Sequence, residues 1–252
     1  SSDVCSSDLT FGTPTNNTVW TYSCWLKRGN IAAQSGNSSG FFANSDGYSG
    51  MYFPTADTFR VMDNVGGVAS VTTAVYRDPS VWAHLVVKSD GTYIKTYWNG
   101  VEVASYTGTI TNLNKSGQTY YLGRYSTVYF DGQLAEVVFV DGQGLAPTAF
   151  ATTDTATGAW IPMPYTGTYG ANGFYLNFKD NTSTTTLGYD YSGNANNWTT
   201  NNISLTSGST YDSMLDVPTP WVGYSTTTDT TAVTRGNYAV LNPLIKSNYA
   251  PV

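Results

Sequence analysis

Charged side chains are scarce in this sequence. Asp, Glu, Lys and Arg together make up 11% of its 252 residues, against about 25% in an average soluble domain. The net charge is −6 at pH 7 and the sequence contains no basic cluster, so we predict no nucleic-acid partner. No apolar run approaches the roughly 20 residues of a membrane-spanning helix, and we therefore predict no membrane insertion.

The side chains that most often carry catalysis are also scarce. His84 is the only histidine, and Glu102 and Glu136 are the only glutamates. Cys24 lies within a predicted strand and has no neighbour that would activate a thiol. The sequence contains neither a P-loop nor a G-x-G-x-x-G motif. These absences predict that the chain is not an enzyme.

Thr, Ser, Asn, Gly and 20 Tyr residues are abundant instead. This composition disfavours long helices and suits strands joined by tight turns. Along Thr18–Lys27 the side chains alternate between two faces, and Trp20, Tyr22, Cys24 and Leu26 share one of them. Period two with aromatic residues indicates a strand, and the pattern recurs often enough to predict an all-β fold.

The other predicted elements follow at short intervals. We predict strands at Phe41–Phe42, Met51–Phe53, Thr58–Asp63, Val68–Tyr76, Val81–Lys88, Tyr93–Trp98, Val101–Tyr106, Thr119–Gly123, Val128–Val140, Phe174–Phe178 and Trp198–Ile203. Gly144–Ala151 is the one segment that favours a helical turn, because Pro147 stands early in it.

The two ends of the sequence differ from its middle. Residues 1–9 read SSDVCSSDL, which resembles the translation of a sequencing-adapter oligonucleotide at the end of a metagenomic read. We interpret them as an artefact, the alternative being an authentic polar tail, and expect any signal peptide to be missing. The folded domain is predicted to span residues 10–203. Residues 204–252 are rich in Thr, Ser and Pro and predict an extended tail or linker to a truncated following domain.

The most specific pattern lies in Val81–Phe150. It reads W-A-H-L-V-V-K-x-D-G, then Y-W-N-G-V-E-V, Y-L-G-R, F-D-G-Q-L-A-E-V-V-F-V and G-L-A-P-T-A-F, in that order. This series resembles the laminin-G-like and pentraxin-like branch of the concanavalin A-like lectin/glucanase superfamily. The resemblance covers about Thr18–Ile203 and implies an antiparallel, two-sheet jelly-roll sandwich.

That superfamily includes glycoside hydrolases, which hold two carboxylates on either side of the glycosidic bond. Their motif has the form E-x-D-x-x-E or E-x-D-x-E, which a chain with two glutamates cannot spell. Asp131, Glu136 and Asp141 lie on the longest predicted strand at intervals of five residues, so neighbours would point to opposite faces of a regular strand. A hydrolase is therefore a remote alternative.

Lectin-type sandwiches bind sugars on shallow surfaces where tyrosine or tryptophan rings stack against the sugar. We predict this role for the aromatic residues nearest to turns, which are Tyr48, Trp160, Tyr165, Tyr169 and Trp198.

Other aromatic residues are predicted to be structural. His84 stands in an apolar run, so we predict a core histidine and not a catalytic one. For Tyr93 and Trp98 the core and a sugar-stacking surface both remain open, and we favour the core.

The loop D-Y-S-G-N-A-N-N begins at Asp190. Asp190, Ser192 and Asn194 offer oxygen atoms at alternate positions around a glycine, an arrangement suited to Ca²⁺. A loop fixed by hydrogen bonds to the aspartate is the alternative, which we favour. Calcium is the only cofactor that the sequence suggests.

Two functions remain open from the sequence. The first is a non-enzymatic module that binds a glycan, a host cell-surface polysaccharide or a receptor, and the second is a structural spacer without a ligand. The C-terminal string R-G-N-Y-A-V-L-N-P-L resembles a junction in tailed-phage structural proteins. We therefore expect a virion or other extracellular surface as the location, and other virion proteins as partners.

Overall fold

The computed structural model describes residues 6–29, 31, 39–47, 49–63, 67–207, 211–213 and 218. Almost all of its regular structure is extended, which confirms the predicted all-β class. The strands are β1 (Ser6–Thr10), β2 (Val19–Arg28), β3 (Ser39–Asn44), β4 (Gly50–Phe53), β5 (Arg60–Asp63), β6 (Gly67–Val71), β7 (Ala83–Asp90), β8 (Tyr93–Trp98), β9 (Val101–Thr107), β10 (Thr119–Leu122), β11 (Arg124–Tyr125), β12 (Val128–Tyr129), β13 (Gly132–Asp141), β14 (Ala151–Thr153), β15 (Trp160–Pro162), β16 (Phe174–Leu176) and β17 (Thr199–Asn201).

Helix is confined to two short pieces in the described chain. A 3₁₀ turn at Pro147–Ala149 lies within the predicted helical turn. The helix α1 (Thr184–Leu187) was not predicted. Ser183 caps it, because its Oγ accepts a hydrogen bond from the Thr186 amide at 3.0 Å.

Two large sheets form a sandwich. The seven-stranded sheet has the order β17-β1-β10-β3-β4-β5-β6, and the six-stranded sheet has the order β16-β13-β2-β7-β8-β9. All neighbouring strands in both sheets are antiparallel. This confirms the predicted two-sheet antiparallel architecture.

The core between the sheets follows from side-chain alternation. Trp20, Tyr22, Cys24 and Leu26 of β2 all lie in it, as their shared face predicts. Burial raises the pKa of the Cys24 thiol to about 12, so this thiol is protonated at neutral pH. Each sheet contributes alternate residues in the same way, and together they bury a core rich in aromatic rings.

The chain after β13 covers the outer face of the six-stranded sheet. Thr21 on that face donates its hydroxyl proton to the Gln143 carbonyl at 2.7 Å and accepts from the Leu145 amide at 2.8 Å. Trp160 packs near Trp25 in a small apolar cluster. The Thr21 hydroxyl is therefore fully paired beneath the covering segment.

The predicted strand Val128–Val140 differs from the structure in two ways. The predicted strand Val128–Val140 divides into the hairpin strand β12 and the long strand β13. Within β13 the register shifts between Ala135 and Val138, and Glu136 has a φ of 49°. This bulge adds a residue and changes which side chains face inward after it.

A further difference concerns the first residues. Ser6–Thr10 forms β1, which lies between β17 and β10. Ser7 pairs with Leu122 of β10 and therefore faces the same side as that buried leucine. A crevice of about 180 Å³ opens here, and its lining includes Ser6, Ser7, Trp82, Leu122, Phe130 and Leu187.

The start of the predicted tail packs against the sandwich. The Asp212 amide donates to the Ser204 carbonyl at 2.9 Å, and Asn181 Nδ2 donates to the Tyr211 hydroxyl at 2.9 Å. Most of residues 204–252 lie outside the described residues. None of the helices among the described residues is long and apolar enough to cross a membrane.

Candidate functional site

The structure separates the five aromatic residues that the sequence singles out. Trp198 is 3% exposed and lies in the core, where its ring centroid is 4.9 Å from that of Phe174. Its face is therefore not available to a ligand. Tyr48 lies outside the described residues.

Tyr165 and Tyr169 do come together on the outer face of the six-stranded sheet. Their ring centroids are 5.1 Å apart, and Tyr165 also packs 5.4 Å from Phe150. The Tyr169 hydroxyl donates to the Tyr165 carbonyl at 3.2 Å. Burial raises the pKa of the Tyr169 hydroxyl to about 12, and the negative charge of Asp190 contributes a smaller part of this increase. Both rings are half-buried and held by internal contacts.

Trp160 and His84 form a structural pair. Trp160 Nε1 donates to His84 Nδ1 at 3.0 Å, and His84 Nε2 lies 2.9 Å from the Ser23 hydroxyl. The imidazole also stacks on Trp25, with 5.0 Å between ring centroids. His84 is 1% exposed, which confirms the prediction of a core histidine.

Tyr93 and Trp98 differ in burial. Trp98 stacks on Tyr76 at 4.0 Å and packs at the edge of the core, which confirms the favoured interpretation. The Tyr93 side chain is 41% exposed, so its ring is on the surface.

The Asp190 loop is held by hydrogen bonds. Asp190 Oδ1 accepts from the amides of Tyr175 and Ser192, both at 2.8 Å. Its Oδ2 accepts from the Ser192 hydroxyl at 2.7 Å and the Asn196 amide at 2.9 Å. Asn194 Nδ2 donates to the carbonyl of Gly170 at 2.7 Å.

This geometry matches the alternative that the sequence favours, a loop built around the aspartate. Hydrogen-bond donors occupy both oxygens of Asp190, so these oxygens do not face an open cation position. No group of three or more His, Cys, Asp or Glu side chains suited to a metal occurs within the described ranges. Of the two interpretations of this loop, a calcium site stays the less favoured prediction.

Another set of aromatic residues meets on the outer face of the seven-stranded sheet. The Arg124 guanidinium carbon lies 4.4 Å from the ring centroid of Tyr121 and 5.7 Å from that of Tyr129. Arg124 Nε donates to the Ser126 carbonyl at 2.6 Å. This bond and the cation–π contacts fix the guanidinium above the sheet.

Tyr125 continues this surface across the next strands. It crosses the sheet above Gly40 and Gly50, where a Cβ atom would come within 2.0 Å and 2.6 Å of Tyr125 side-chain atoms. Glycine at both positions is therefore required for the tyrosine to lie so close. The ring stacks on Tyr52 with 4.5 Å between centroids, and Tyr52 is buried beneath it.

We call this set the arginine–tyrosine platform; its members are Tyr52, Tyr121, Arg124, Tyr125 and Tyr129. Except for Tyr52, each member is half-buried. Flat rings and a fixed guanidinium on an open sheet face can stack against a ring-shaped ligand and donate hydrogen bonds to it. We take this platform as the candidate functional site.

Glu102, Glu136 and Asp141 do not form a hydrolytic pair with one another. Glu102 bonds to Lys95 Nζ at 3.0 Å and to the Tyr97 hydroxyl at 3.3 Å. Glu136 accepts a hydrogen bond from Tyr175 at the other side of the six-stranded sheet. Asp141 is buried and accepts from Asn114 Nδ2 at 2.7 Å.

Comparison with known proteins identifies the family. A laminin G family model described as concanavalin A-like lectin/glucanases superfamily matches residues 2–143, more than half of the chain. The chain belongs to the concanavalin A-like lectin/glucanase superfamily. The jelly-roll sandwich implied by the sequence motifs is thereby confirmed. No curated protein matches the sequence.

Solved structures of this superfamily's fold resemble the chain at low sequence identity. A Bacteroides ovatus protein, provisionally named a carbohydrate binding protein, is 16% identical with a TM-score of 0.55. That match covers 79% of this chain but 58% of the Bacteroides chain, less than two thirds of its length. A pentraxin from Limulus polyphemus is 16% identical, with a TM-score of 0.41 and coverage of 57% and 72%.

A third structure is domain 4 of an extracellular arabinanase from Geobacillus stearothermophilus, solved with arabinotriose. It is 20% identical with a TM-score of 0.39, covering 56% of this chain and 68% of that one.

Sequence reasoning missed the arginine–tyrosine platform of this superfamily member. The string Y-L-G-R lies at the end of the predicted strand Thr119–Gly123, and the sequence assigns its tyrosine, Tyr121, to no site. The signal was nevertheless present, because Tyr120 and Tyr121 are adjacent and must face opposite sides of the sheet. Tyr120 is buried in the core, so Tyr121 had to be outside.

Proposed function

We propose that this domain is a non-enzymatic binding module that recognises a carbohydrate or a glycosylated cell-surface receptor on its arginine–tyrosine platform. The phage-like structural context suggested by the C-terminal sequence is part of the same proposal. The observation that carries it is the stacked, half-exposed set of rings around Arg124. The superfamily and the Bacteroides structure support a carbohydrate-binding type of module.

The absence of catalysis is also proposed and rests on the carboxylates. Glu102 is engaged by Lys95, and Glu136 by Tyr175. Hydrolysis of a glycosidic bond requires two carboxyl groups facing one substrate. The two glutamates have different partners and lie on β9 and β13, which are four strand positions apart in the six-stranded sheet.

A glycan-array screen of the full chain tests the proposal. The full chain is needed because all of β1 except Thr10 belongs to the predicted artefact, and β1 forms part of the seven-stranded sheet. Tyr129→Leu and Tyr125→Leu keep apolar volume and remove an aromatic face, so each is expected to weaken binding about tenfold. Tyr93→Leu is the matched control, since this exposed ring lies on the other sheet.

A second pair of exposed tyrosines makes the screen more specific. Tyr189 and Tyr191 flank Asp190 and are 41% and 46% exposed. Loss of binding in Tyr191→Leu with full binding in Tyr129→Leu would place the site on that loop and contradict the platform. Binding that needs Ca²⁺ and is lost in Asp190→Asn would support the calcium prediction. If the folded chain bound none of the glycans, the result would favour the ligand-free spacer.

A further inference from the structure

We infer that the arginine–tyrosine platform selects acidic glycans, whose carboxylate or sulfate groups bind Arg124 and Arg60. This inference rests on the proposed function and specifies the class of sugar. Three observations support it. They are the ion pairs of the described arginines, the positions of Arg60 and Arg124, which have no acidic partner among the described residues, and the aromatic side chains near these two arginines.

The described arginines fall into two groups. Arg28 and Arg77 both bind Asp57, at 2.8 Å and 2.7 Å. Neither Arg60 nor Arg124 forms an ion pair with a carboxylate in the part of the chain that the structure describes. Two of four arginines thus lack an acidic partner in a chain whose net charge is −6.

Both of these arginines face outward from the same sheet. Arg60 pairs across strands with Tyr52, the tyrosine beneath Tyr125. Its neighbour Val61 is in the core, so the Arg60 side chain takes the outer face. Arg124 lies over Tyr121 on β10. Arg60 and Arg124 therefore lie on opposite sides of the Tyr52–Tyr125 stack.

Each arginine retains hydrogen-bonding capacity for a ligand. Arg124 uses its Nε on the Ser126 carbonyl, which leaves the two terminal nitrogens of the guanidinium for another acceptor. Arg60 Nε is buried and has no hydrogen-bond partner. Because this Nε is buried, a ligand on the sheet face meets the terminal nitrogens of the Arg60 guanidinium.

The chemistry of arginine favours an acidic sugar over a neutral one. A guanidinium binds a carboxylate or sulfate with two parallel hydrogen bonds and at the same time stacks on aromatic rings. Strands β10 and β5 are three strand spacings apart, or about 14 Å. The two arginines are therefore positioned for acidic groups on different units of one short oligosaccharide.

One carboxylate of the chain lies beside this surface. Asp8 pairs across strands with Tyr121, and its Oδ2 accepts from Asn201 Nδ2 at 2.7 Å. Its negative charge opposes an anionic ligand near Arg124. Asp8→Asn keeps an acceptor for Asn201 and removes the charge, so it should strengthen binding of acidic glycans and leave neutral ones unchanged.

The test compares acidic glycans with their neutral counterparts. Oligogalacturonides and heparosan oligosaccharides are arrayed beside the same chains after reduction of their carboxyl groups. Wild-type protein is expected to bind the acidic members and lose binding on reduction. Arg124→Gln and Arg60→Gln should each weaken acidic binding about tenfold, and Lys115→Gln, an exposed cation in a loop, should not. Added salt should weaken the acidic interaction.

The possible results separate this inference from the proposed function. One result would be equal binding to acidic and reduced glycans that is lost in Tyr129→Leu but kept in both arginine variants. This result overturns the acidic specificity and leaves the proposed glycan binding on the platform standing. No binding to either series or to any other glycan overturns both. Circular dichroism of each variant establishes that it is folded, and Arg124→Lys, which keeps the charge but not the paired donors, should recover part of the affinity.

Discussion

At the scale of single residues, His84 shows how burial fixes chemistry. Its Nδ1 accepts from Trp160 Nε1 at 3.0 Å, so the neutral ring carries its proton on Nε2 and donates toward Ser23. Burial lowers the pKa of His84 from 6.5 to about 3 because the imidazolium form would be desolvated. The residue is neutral in the folded protein at any ordinary pH.

We predict that this histidine makes stability depend on pH between about 6.5 and 3, the pKa values of His84 in the unfolded and folded chain. The unfolded chain binds a proton at His84 below about pH 6.5 and the folded chain does not, so unfolding becomes easier as the pH falls. The unfolding free energy should decrease by up to about 1.4 kcal/mol per pH unit between pH 6.5 and 5. Urea unfolding measured at several pH values checks this.

His84→Gln provides the control because the chain has no other histidine. The variant is expected to be less stable at every pH but to show a flat profile over the same range. If wild type and variant lost stability with the same slope, His84 would not be the group responsible.

The burial of a single residue can be predicted from the sequence where its neighbours along the chain determine it. His84 stands two residues from Trp82 in an apolar run, and Ala83–Val87 of that run are buried as expected. Trp198 shows the limit. It follows a polar loop, yet tertiary packing places its ring against Phe174 in the core. Burial of a residue next to a turn depends on the element beneath it, which the local sequence does not reveal.

At the scale of elements, β1 has a sequence that does not match its position. Backbone hydrogen bonds to β10 and β17 form with any side chains, and the paired positions run from Ser7 opposite Leu122 to Thr10 opposite Thr119. The inward position Ser7 carries a polar side chain in the wall of a 180 Å³ crevice. An inward strand position normally carries an apolar residue.

Replacing Ser7 by valine is therefore expected to stabilise the protein. The larger apolar side chain would fill part of the crevice beside Leu122, and we expect a gain of about 1 kcal/mol in unfolding free energy. The midpoint of urea unfolding measures it. Thr10→Val, at an exposed position of the same strand, is the control and should change little. Destabilisation by Ser7→Val would show that the position requires a hydroxyl.

The long strand β13 illustrates what alternation can and cannot predict. Strand β2 keeps strict period two, and its inward face was predicted correctly. In β13 the positive φ of Glu136 inserts an extra residue opposite β2. Glutamate is not a residue that usually signals such a conformation, so neither the bulge nor the changed facing of later residues could be read from the sequence.

At the scale of the whole molecule, two aspartates join segments that are distant in sequence. Asp141 accepts hydrogen bonds from the amides of Thr15, Asn16 and Asn172 at 2.7 to 3.1 Å. Asp190 accepts from Tyr175 and from its own loop. Carboxylates that accept several amide hydrogen bonds stabilise a loop arrangement without a metal ion.

We predict accordingly that calcium removal leaves thermal stability unchanged. Asp190→Ala should lower the unfolding free energy by about 1–2 kcal/mol, because the amides it binds lose their acceptor. Thermal melts in Ca²⁺ and in EDTA, for wild type and variant, give both results. A melting temperature raised by Ca²⁺ in wild type but not in Asp190→Ala would instead establish a cation site in this loop.

The pairing of β1 with β17 has a mechanical consequence. Ser6 lies opposite Asn201, so the start of the first strand and the end of the last strand lie side by side near one edge of the seven-stranded sheet. Tension applied through Ser6 and Asn201 would break the three residue pairs between β1 and β17 one after another. It would not place all three pairs under shear at the same time. Such an arrangement resists pulling through these two strands poorly.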